Sequence, residues 1–271
     1  MLLKSIGAVS LLLSGILYFT LDLALWLVPV LFIGFYLVFG LLAFGFLSLV
    51  CALVDMEKPQ EDDSRFYRIV MHLYIEALVS LVLARIRPTG LEKTPKDGRF
   101  LLVCNHLFLA DPAVLLQCFP KSQLSFITKQ ENEEMFVVGP IMHKIMCQSL
   151  DRNNDRQALK VILKCIQLIK EDQVSIGVFP EGYTSKDGKL HHFRSGVFKI
   201  AQKTQVPIVV CTIQNTRMIF KNLKKLKSTE IPLHLVDVLY PEDYQGLTTA
   251  QISDKVYEMM IADLGEHWRI D

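Results

Sequence analysis

The residues best suited to chemistry lie in the run 105–111, NHLFLAD, which places His106 and Asp111 five residues apart. A histidine can take up a proton near neutral pH. A neighbouring carboxylate can hold the imidazole in one tautomer and stabilise the imidazolium that forms. The spacing is therefore compatible with a general base and the residue that orients it.

A second motif, the run 179–182 with sequence FPEG, brings Glu181 into a loop flanked by proline and glycine. Both motifs directly follow apolar runs, 100–104 and 174–179, that are typical of buried strands. Ligand sites of open α/β sheets form at the carboxyl ends of the strands. We therefore expect the two motifs to converge on one cleft.

From residue 89 onward, short apolar runs alternate with helical patterns. The predicted strands are 100–104, 124–128, 174–179 and 207–213, and the predicted helices are 112–118, 155–171, 195–204 and 248–268. This alternation predicts an α/β domain with a mixed, largely parallel sheet flanked by helices.

The first part of the chain is apolar, since residues 5–54 contain only one charged residue, Asp22. One membrane span needs roughly 20 apolar residues, so this stretch predicts a helical hairpin that serves as a membrane anchor. A secretory signal is the alternative, but the stretch is about twice too long for one and no small-residue cleavage site follows. Because two spans return the chain to its starting side, Lys4, Arg65 and Arg68 favour an integral membrane protein whose catalytic domain faces the cytoplasm.

These patterns divide the chain into a transmembrane hairpin (1–55), a linker with an amphipathic or membrane-docked helix (56–88) and a catalytic domain (89–271). Residues 65–87 predict the helix, which we expect to end at Pro88. Its polar side chains recur every four residues, at Arg68, His72, Glu76 and Ser80. An interfacial helix, a third span and a core helix of the soluble domain all fit this pattern.

The composition narrows the function classes. With 29 basic and 28 acidic side chains, the chain lacks the positive excess of a general nucleic-acid binder. Its six cysteines form no CxxC pair, which favours reduced, mostly buried thiols on the cytosolic side. The histidines lack the spacing of a metal site, so we expect no metal.

Together the motifs resemble the glycerolipid acyltransferases, and in particular the bacterial 1-acylglycerol-3-phosphate acyltransferase type. The run 105–111 matches the first motif of that family, NHx4D, and FPEG at 179–182 matches the core of the third. Asp151-Arg152 resembles the second motif, and the run 206–209, VPIV, resembles the fourth. The resemblance covers roughly residues 88–216, and the four motifs follow in the family's order.

The resemblance implies transfer of a fatty acyl group to the sn-2 hydroxyl of 1-acylglycerol-3-phosphate, which gives phosphatidic acid. His106 would take the proton from that hydroxyl, and Asp111 would orient His106. The donor would be acyl-CoA or acyl carrier protein, no cofactor would be needed, and the partners would be membrane lipids and the lysophospholipid acceptor.

The chain departs from the family after the third motif, where Tyr183-Thr184 replaces the usual Thr-Arg. The arginine at that position is associated with binding the acceptor phosphate. Other cations are therefore expected to take over this role. The substrate-binding residues predicted on these grounds are Asn105, Lys129, Arg152, Glu181, Gly182 and Arg194.

Other functions stay open at this point. The altered segment is compatible with another lysolipid or with glycerol-3-phosphate as acceptor. An inactive lipid-binding membrane module and a thioesterase are less favoured, because His106 and Asp111 are both present. The basic run 217–227 suits an anionic membrane surface, although a solvated helix face has the same pattern.

Overall fold

The computed structural model describes residues 1–150 and 155–270. The helices are α1 (Leu2–Thr20), α2 (Leu27–Ala52), α3 (Arg65–Leu81), α4 (Asp111–Cys118), α5 (Val138–Lys144), α6 (Asp155–Lys170), α7 (Lys199–Thr204), α8 (Ile219–Leu223), α9 (Pro241–Tyr244) and α10 (Thr249–Leu264). The strands are β1 (Ala84–Thr89), β2 (Leu101–Cys104), β3 (Leu124–Lys129), β4 (Gln148–Leu150), β5 (Ser175–Val178), β6 (Ile208–Ile213) and β7 (Thr229–Leu239).

The apolar N-terminal stretch forms two helices, α1 and α2, that pack against each other. Both are long and apolar enough to cross a membrane, and none of the most apolar window of α2 is buried inside the protein. In α1 the hydroxyls of Ser10 and Ser14 donate to backbone carbonyls one turn earlier, so the helix satisfies these polar groups internally. The two apolar helices of the predicted anchor are thus present.

Helix α3 connects this hairpin to the sheet domain. The Tyr67 hydroxyl donates to the Val50 carbonyl at 3.1 Å and the Tyr74 hydroxyl to the Ala43 carbonyl at 2.5 Å. The two hydrogen bonds are seven residues apart in each helix and in opposite order along the chain. Helices α3 and α2 therefore run antiparallel over about 10 Å. Its other side contacts α4, α5 and β1, so α3 packs between the apolar hairpin and the sheet domain.

The prediction of one helix over residues 65–87 is wrong at its C-terminal end. The helix stops at Leu81, Leu83 adopts a left-handed conformation with φ of 53°, and Ala84–Thr89 form strand β1. Pro88 therefore lies in a strand and does not terminate a helix. Strand β1 lies at the edge of the sheet, where a proline without an N–H is tolerated.

Seven strands form one sheet in the order β1-β7-β6-β2-β5-β3-β4. All neighbouring pairs are parallel except β6 and β7, which confirms the predicted mixed, largely parallel sheet. Strands β2, β3, β5 and β6 therefore end at the same edge, and each of the loops discussed below starts from that edge.

Helices cover both faces of the sheet, and the strands alternate between the two cores. In β2, Leu101 and Val103 face the core formed with α6, α7 and α10. Leu102 and Cys104 face the core formed with α3, α4 and Ile219 of α8. Helices α3 and α8 consequently lie on the same side of the sheet.

A buried arginine connects α3 to the sheet domain through hydrogen bonds. The guanidinium of Arg68 donates to both carboxylate oxygens of Asp63 at 2.7 Å and to the carbonyls of Gln123, Leu124 and Ile145. The Arg68 and Asp63 side chains are 8% and 6% exposed. Arg68, which we counted as a charge flanking the membrane, is therefore a structural residue of the domain.

Arg68→Met should destabilise the protein by about 3–5 kcal/mol, because the Asp63 carboxylate would be left buried without its partner. The double variant Arg68→Met/Asp63→Asn should lose less stability, since no charge is then left unpaired. Denaturant unfolding in detergent, followed by far-UV circular dichroism, measures both changes.

Arg65→Met is the matched control, because Arg65 is exposed and lies one turn earlier on the same helix. Its effect should stay within about 0.5 kcal/mol. Equal losses for Arg68→Met and Arg65→Met would contradict a structural role for the Arg68 network.

Candidate active site

His106 and Asp111 form a hydrogen-bonded pair at the end of β2. The His106 Nδ1 lies 2.8 Å from Asp111 Oδ2, and the same oxygen accepts the backbone N–H groups of Leu107 and Phe108. Asp111 is completely buried and is the first residue of α4, where the helix dipole favours a negative charge. With Nδ1 bonded to Asp111, Nε2 is the ring nitrogen that can accept a proton from a substrate hydroxyl.

The His106 ring lies on a stack of two phenylalanines that the sequence analysis did not single out. Its centroid is 4.1 Å from that of Phe179, with the planes 21° apart, and Phe179 stacks in turn on Phe126. The two phenylalanines support one face of the imidazole and so fix its orientation. It also packs an aromatic face against the imidazole.

Glu181 joins the two loops that carry the motifs. Its Oε1 accepts the backbone N–H of His106 at 2.8 Å, and its Oε2 accepts that of His191 at 3.0 Å. Glu181 is almost fully buried, and this burial raises the pKa of its carboxyl group to about 7, although the two N–H donors oppose the shift. Both oxygens are thus used to position backbone.

Asn105 performs a similar task between β2 and β6. Its side-chain Nδ2 donates to the Ile213 carbonyl at 2.9 Å, and its Oδ1 accepts the Ile213 N–H at 2.8 Å. The buried amide therefore continues the pairing of the two strands past their ends. Its predicted contact with substrate stays a prediction.

A pocket opens beside the His106 ring and contains three of the predicted substrate-binding residues. Lys129, Gly182 and Arg194 line it together with His106 and with the residues Pro112, Phe126, Ile127, Thr128, Asn132, Leu150, Val178, Phe179, Pro180 and Val197. Gly182 has φ of 78°, and a Cβ there would lie 2.9 Å from Arg194 Nε. Glycine thus lets the arginine side chain pass close to the loop. The third predicted cation, Arg152, lies outside the described residues.

The loop after Glu181 is held by contacts that sequence reasoning missed. The Ser185 N–H donates to the His106 carbonyl at 2.8 Å, and Arg217 donates to the Lys186 carbonyl. Arg217 belongs to the basic run that suits either a membrane surface or a solvated helix face, but its guanidinium contacts this loop. Nothing in the sequence signals that residues 186 and 217 meet, because their contact depends on the order of β5, β2 and β6 in the sheet.

Cys104 is not suited to act as a nucleophile. Cys104 is completely buried, and burial raises the pKa of its thiol well above the usual range, so the thiolate that a nucleophile requires does not form. Within residues 1–150 and 155–270, no group of three or more His, Cys, Asp or Glu side chains is placed to hold a metal ion.

Comparison with known proteins connects this geometry to one enzyme family. The family model described as Acyltransferase matches residues 85–214. A probable 1-acyl-sn-glycerol-3-phosphate acyltransferase of Mycoplasma pneumoniae is 30% identical over 178 residues, which cover 64% of each chain. The 1-acyl-sn-glycerol-3-phosphate acyltransferase of Borreliella burgdorferi is 27% identical over 197 residues, or 71% of this chain and 78% of the relative.

The fold is also found in a solved structure. The crystal structure of the 1-acyl-sn-glycerophosphate (LPA) acyltransferase PlsC from Thermotoga maritima superposes with a TM-score of 0.63 at 22% identity. The match covers 84% of this chain and 89% of that one. Residues 85–214, which include the His106 motif and the Glu181 loop, therefore match an acyltransferase domain, and the chain is similar in sequence to 1-acyl-sn-glycerol-3-phosphate acyltransferases.

Proposed function

We propose that the chain transfers a fatty acyl group from an acyl thioester to the sn-2 hydroxyl of 1-acylglycerol-3-phosphate, which gives phosphatidic acid. The observation that carries this proposal is the His106–Asp111 pair at the wall of a pocket that also contains Lys129 and Arg194. Relatives named 1-acyl-sn-glycerol-3-phosphate acyltransferase support the choice of substrate.

The proposed reaction needs no protein nucleophile. His106 Nε2 takes the proton of the acceptor hydroxyl while its oxygen attacks the thioester carbonyl carbon. The tetrahedral intermediate then expels the thiolate of the donor, and the imidazolium returns its proton to that sulfur. Asp111 stabilises the imidazolium between these steps. Acyl-CoA or acyl carrier protein supplies the thioester.

Two cations are placed to bind the phosphate of the acceptor. Lys129 is the last residue of β3, Arg194 follows the Glu181 loop, and both are exposed at the pocket. Lys129 also contacts Glu131 at 2.5 Å. These side chains compensate for Thr184, which stands where the family usually has arginine.

Catalysis is proposed to occur at a membrane. Helices α1 and α2 form the anchor, and Lys4 and Arg65 beside them favour a cytoplasmic position of the catalytic domain. The acceptor and the product are both lipids. Because the site is held at the bilayer surface, neither of them has to be transferred into water.

A second candidate is acyl transfer to a different acceptor, such as another lysolipid or glycerol-3-phosphate. The observation that favours it is Tyr183-Thr184 in place of Thr-Arg. Incubating the purified protein with a radiolabelled acyl thioester and several acceptors separates these functions. One acylated lysolipid identifies the acceptor, free fatty acid alone indicates a thioesterase, and no turnover indicates a lipid-binding module.

His106→Ala should lower acyl transfer by at least about 10²–10⁴-fold, because the general base is lost. Asp111→Asn keeps the shape of the side chain but removes the charge, and it should also lower kcat by orders of magnitude. The radiolabelled-donor assay measures both rates.

His234→Ala is the matched control, since His234 Nδ1 lies 2.6 Å from Asp263 Oδ1 in a second histidine–aspartate pair. That pair is formed by β7 and α10 and does not line the pocket. The control should retain activity. Comparable rates for the His106→Ala and His234→Ala proteins would refute the proposed base.

Glu181→Gln should lower kcat by about 10- to 100-fold, because the glutamine NH₂ would face one of the two N–H groups that the carboxylate now accepts. The ionised carboxylate accepts both groups, whereas the acid turns an O–H towards one of them. The carboxyl pKa is raised to about 7. A plot of kcat against pH should therefore show two protonations on its acid side for the wild type, and only one for Glu181→Gln.

The contribution of Glu181 to the stability of the fold should change with pH in the opposite sense to kcat. A carboxyl pKa raised in the folded state stabilises the fold below pH 4.5, and this contribution is lost as pH rises to about 7. Glu171→Gln, in the exposed turn after α6, is the control and should leave the profile unchanged. An unaltered acid limb in Glu181→Gln would exclude the proposed positioning role.

Lys129→Gln and Arg194→Gln should each lower kcat/KM for the phosphorylated acceptor by about 10- to 150-fold, the loss of one charge-assisted hydrogen bond. The KM of the acyl donor should change much less. Lys121→Gln is the matched control, because Lys121 precedes the N-terminal end of β3 whereas Lys129 lies at its C-terminal end. Monoacylglycerol, which lacks the phosphate, should be used equally by all four proteins. A wild type that prefers monoacylglycerol would contradict a phosphate site.

A further inference from the structure

The segment 217–227 is strongly basic and remains largely exposed in the folded protein. It contains Arg217 and four lysines but no acidic residue. Ile219 of α8 is buried in the core beneath it, whereas the side chain of Leu226 is 84% exposed. The basic patch is defined here as Lys221, Lys224, Lys225, Leu226 and Lys227, all of which are exposed.

Two contacts locate the basic patch beside the active site and beside α3. The ring of Phe220 packs edge-on against Phe108, two residues from His106, at a centroid distance of 5.4 Å. The Thr229 N–H donates to the Leu83 carbonyl at 3.0 Å, so the end of the patch adjoins the end of α3. The patch therefore bridges the mouth of the site and the helix that packs on the hairpin.

Exposed leucines continue the apolar surface from α3 to the patch. Leu78, Leu81 and Leu83 are exposed at the end of α3, which runs along the apolar α2. Leu226 is three residues before Thr229, which bonds to Leu83, and it is flanked by lysines on both sides. An apolar surface bordered by cations matches the interface of an anionic bilayer, because lysine stems lie along apolar groups while their ammonium groups reach phosphates.

We propose that the basic patch is a second membrane contact, which binds the headgroups of anionic phospholipids and inserts Leu226 into the bilayer surface. It acts in addition to the α1–α2 hairpin and orients the His106 pocket towards the lipid. The contact does not depend on acyl transfer, so it goes beyond the proposed function. Arg217 is left out of the patch because it donates to the Lys186 carbonyl.

The test uses the full chain with Leu226→Cys, labelled with an environment-sensitive fluorophore and reconstituted into vesicles. Five native cysteines are buried and Cys118 is half-buried, and the unsubstituted chain measures any background labelling. Vesicles contain phosphatidylcholine alone or with phosphatidylglycerol. We expect the emission to shift to the blue only with phosphatidylglycerol, and to return in ~1 M salt, where the Debye length is ~3 Å.

Neutralising the four lysines of the patch to glutamine should remove the shift, since each lysine near the surface contributes about fivefold in affinity. The matched control neutralises Lys160, Lys164, Lys170 and Lys203, which lie on α6 and α7 across the sheet, and should keep the shift. A label at Leu159→Cys on α6 should show no dependence on lipid charge.

The proposal is overturned if the label at residue 226 gives the same emission with and without phosphatidylglycerol, or if the patch variant behaves as the wild type does. Washing the vesicles with carbonate tests the hairpin separately. A chain that carbonate releases, but that still shows the phosphatidylglycerol-dependent shift, would contradict the anchor and support the patch.

Discussion

The site depends on one buried carboxylate that accepts two backbone N–H groups from different loops. Glu181 lies beyond β5, holds the backbone of His106 beyond β2, and holds His191 at the far end of its own loop. Burying an ionised carboxylate is costly, and the two N–H groups offset part of this cost, since they oppose the rise in the carboxyl pKa that burial causes. Without this bridge, the position of the His106 ring relative to Arg194 and Gly182 would depend on two independent loops.

The sheet topology makes this bridge possible. Because β2 lies between β5 and β6, the loop with His106 can reach Glu181 on one side and, through Asn105, Ile213 on the other. The aromatic stack uses the same order, since Phe179 follows β5 and Phe126 belongs to the next strand, β3. The imidazole is therefore fixed by Asp111 within its plane, by Phe179 on its face and by Glu181 at its backbone.

Much of this arrangement could be predicted from the sequence, because local patterns carry the information. The apolar runs before His106 and Glu181 identify β2 and β5, and the rule that parallel strands end together places both residues in one cleft. Strand β1 was missed because its residues follow a helix without an obvious break, and only pairing with β7 makes them a strand. The roles of Phe126 and Arg217 were missed for a similar reason, since each depends on a neighbour that is distant in sequence. Arg68 was assigned to a polar stripe by its helical spacing, and only the packed domain shows which carbonyls it serves.

The position of α3 links the fold to the lipid chemistry proposed for the site. One side of this helix packs on the apolar hairpin, and Arg68 on the other side fixes it to the loops before β3 and β4. Helix α3 is thus hydrogen-bonded to the hairpin through Tyr67 and Tyr74 and to the loops of the sheet through Arg68. Helix α8 lies on the same side of the sheet and touches the His106 loop through Phe108. Packing thus brings α3, α8 and the His106 loop to one side of the sheet. The proposed lipid acceptor and the proposed membrane contact both rely on this placement.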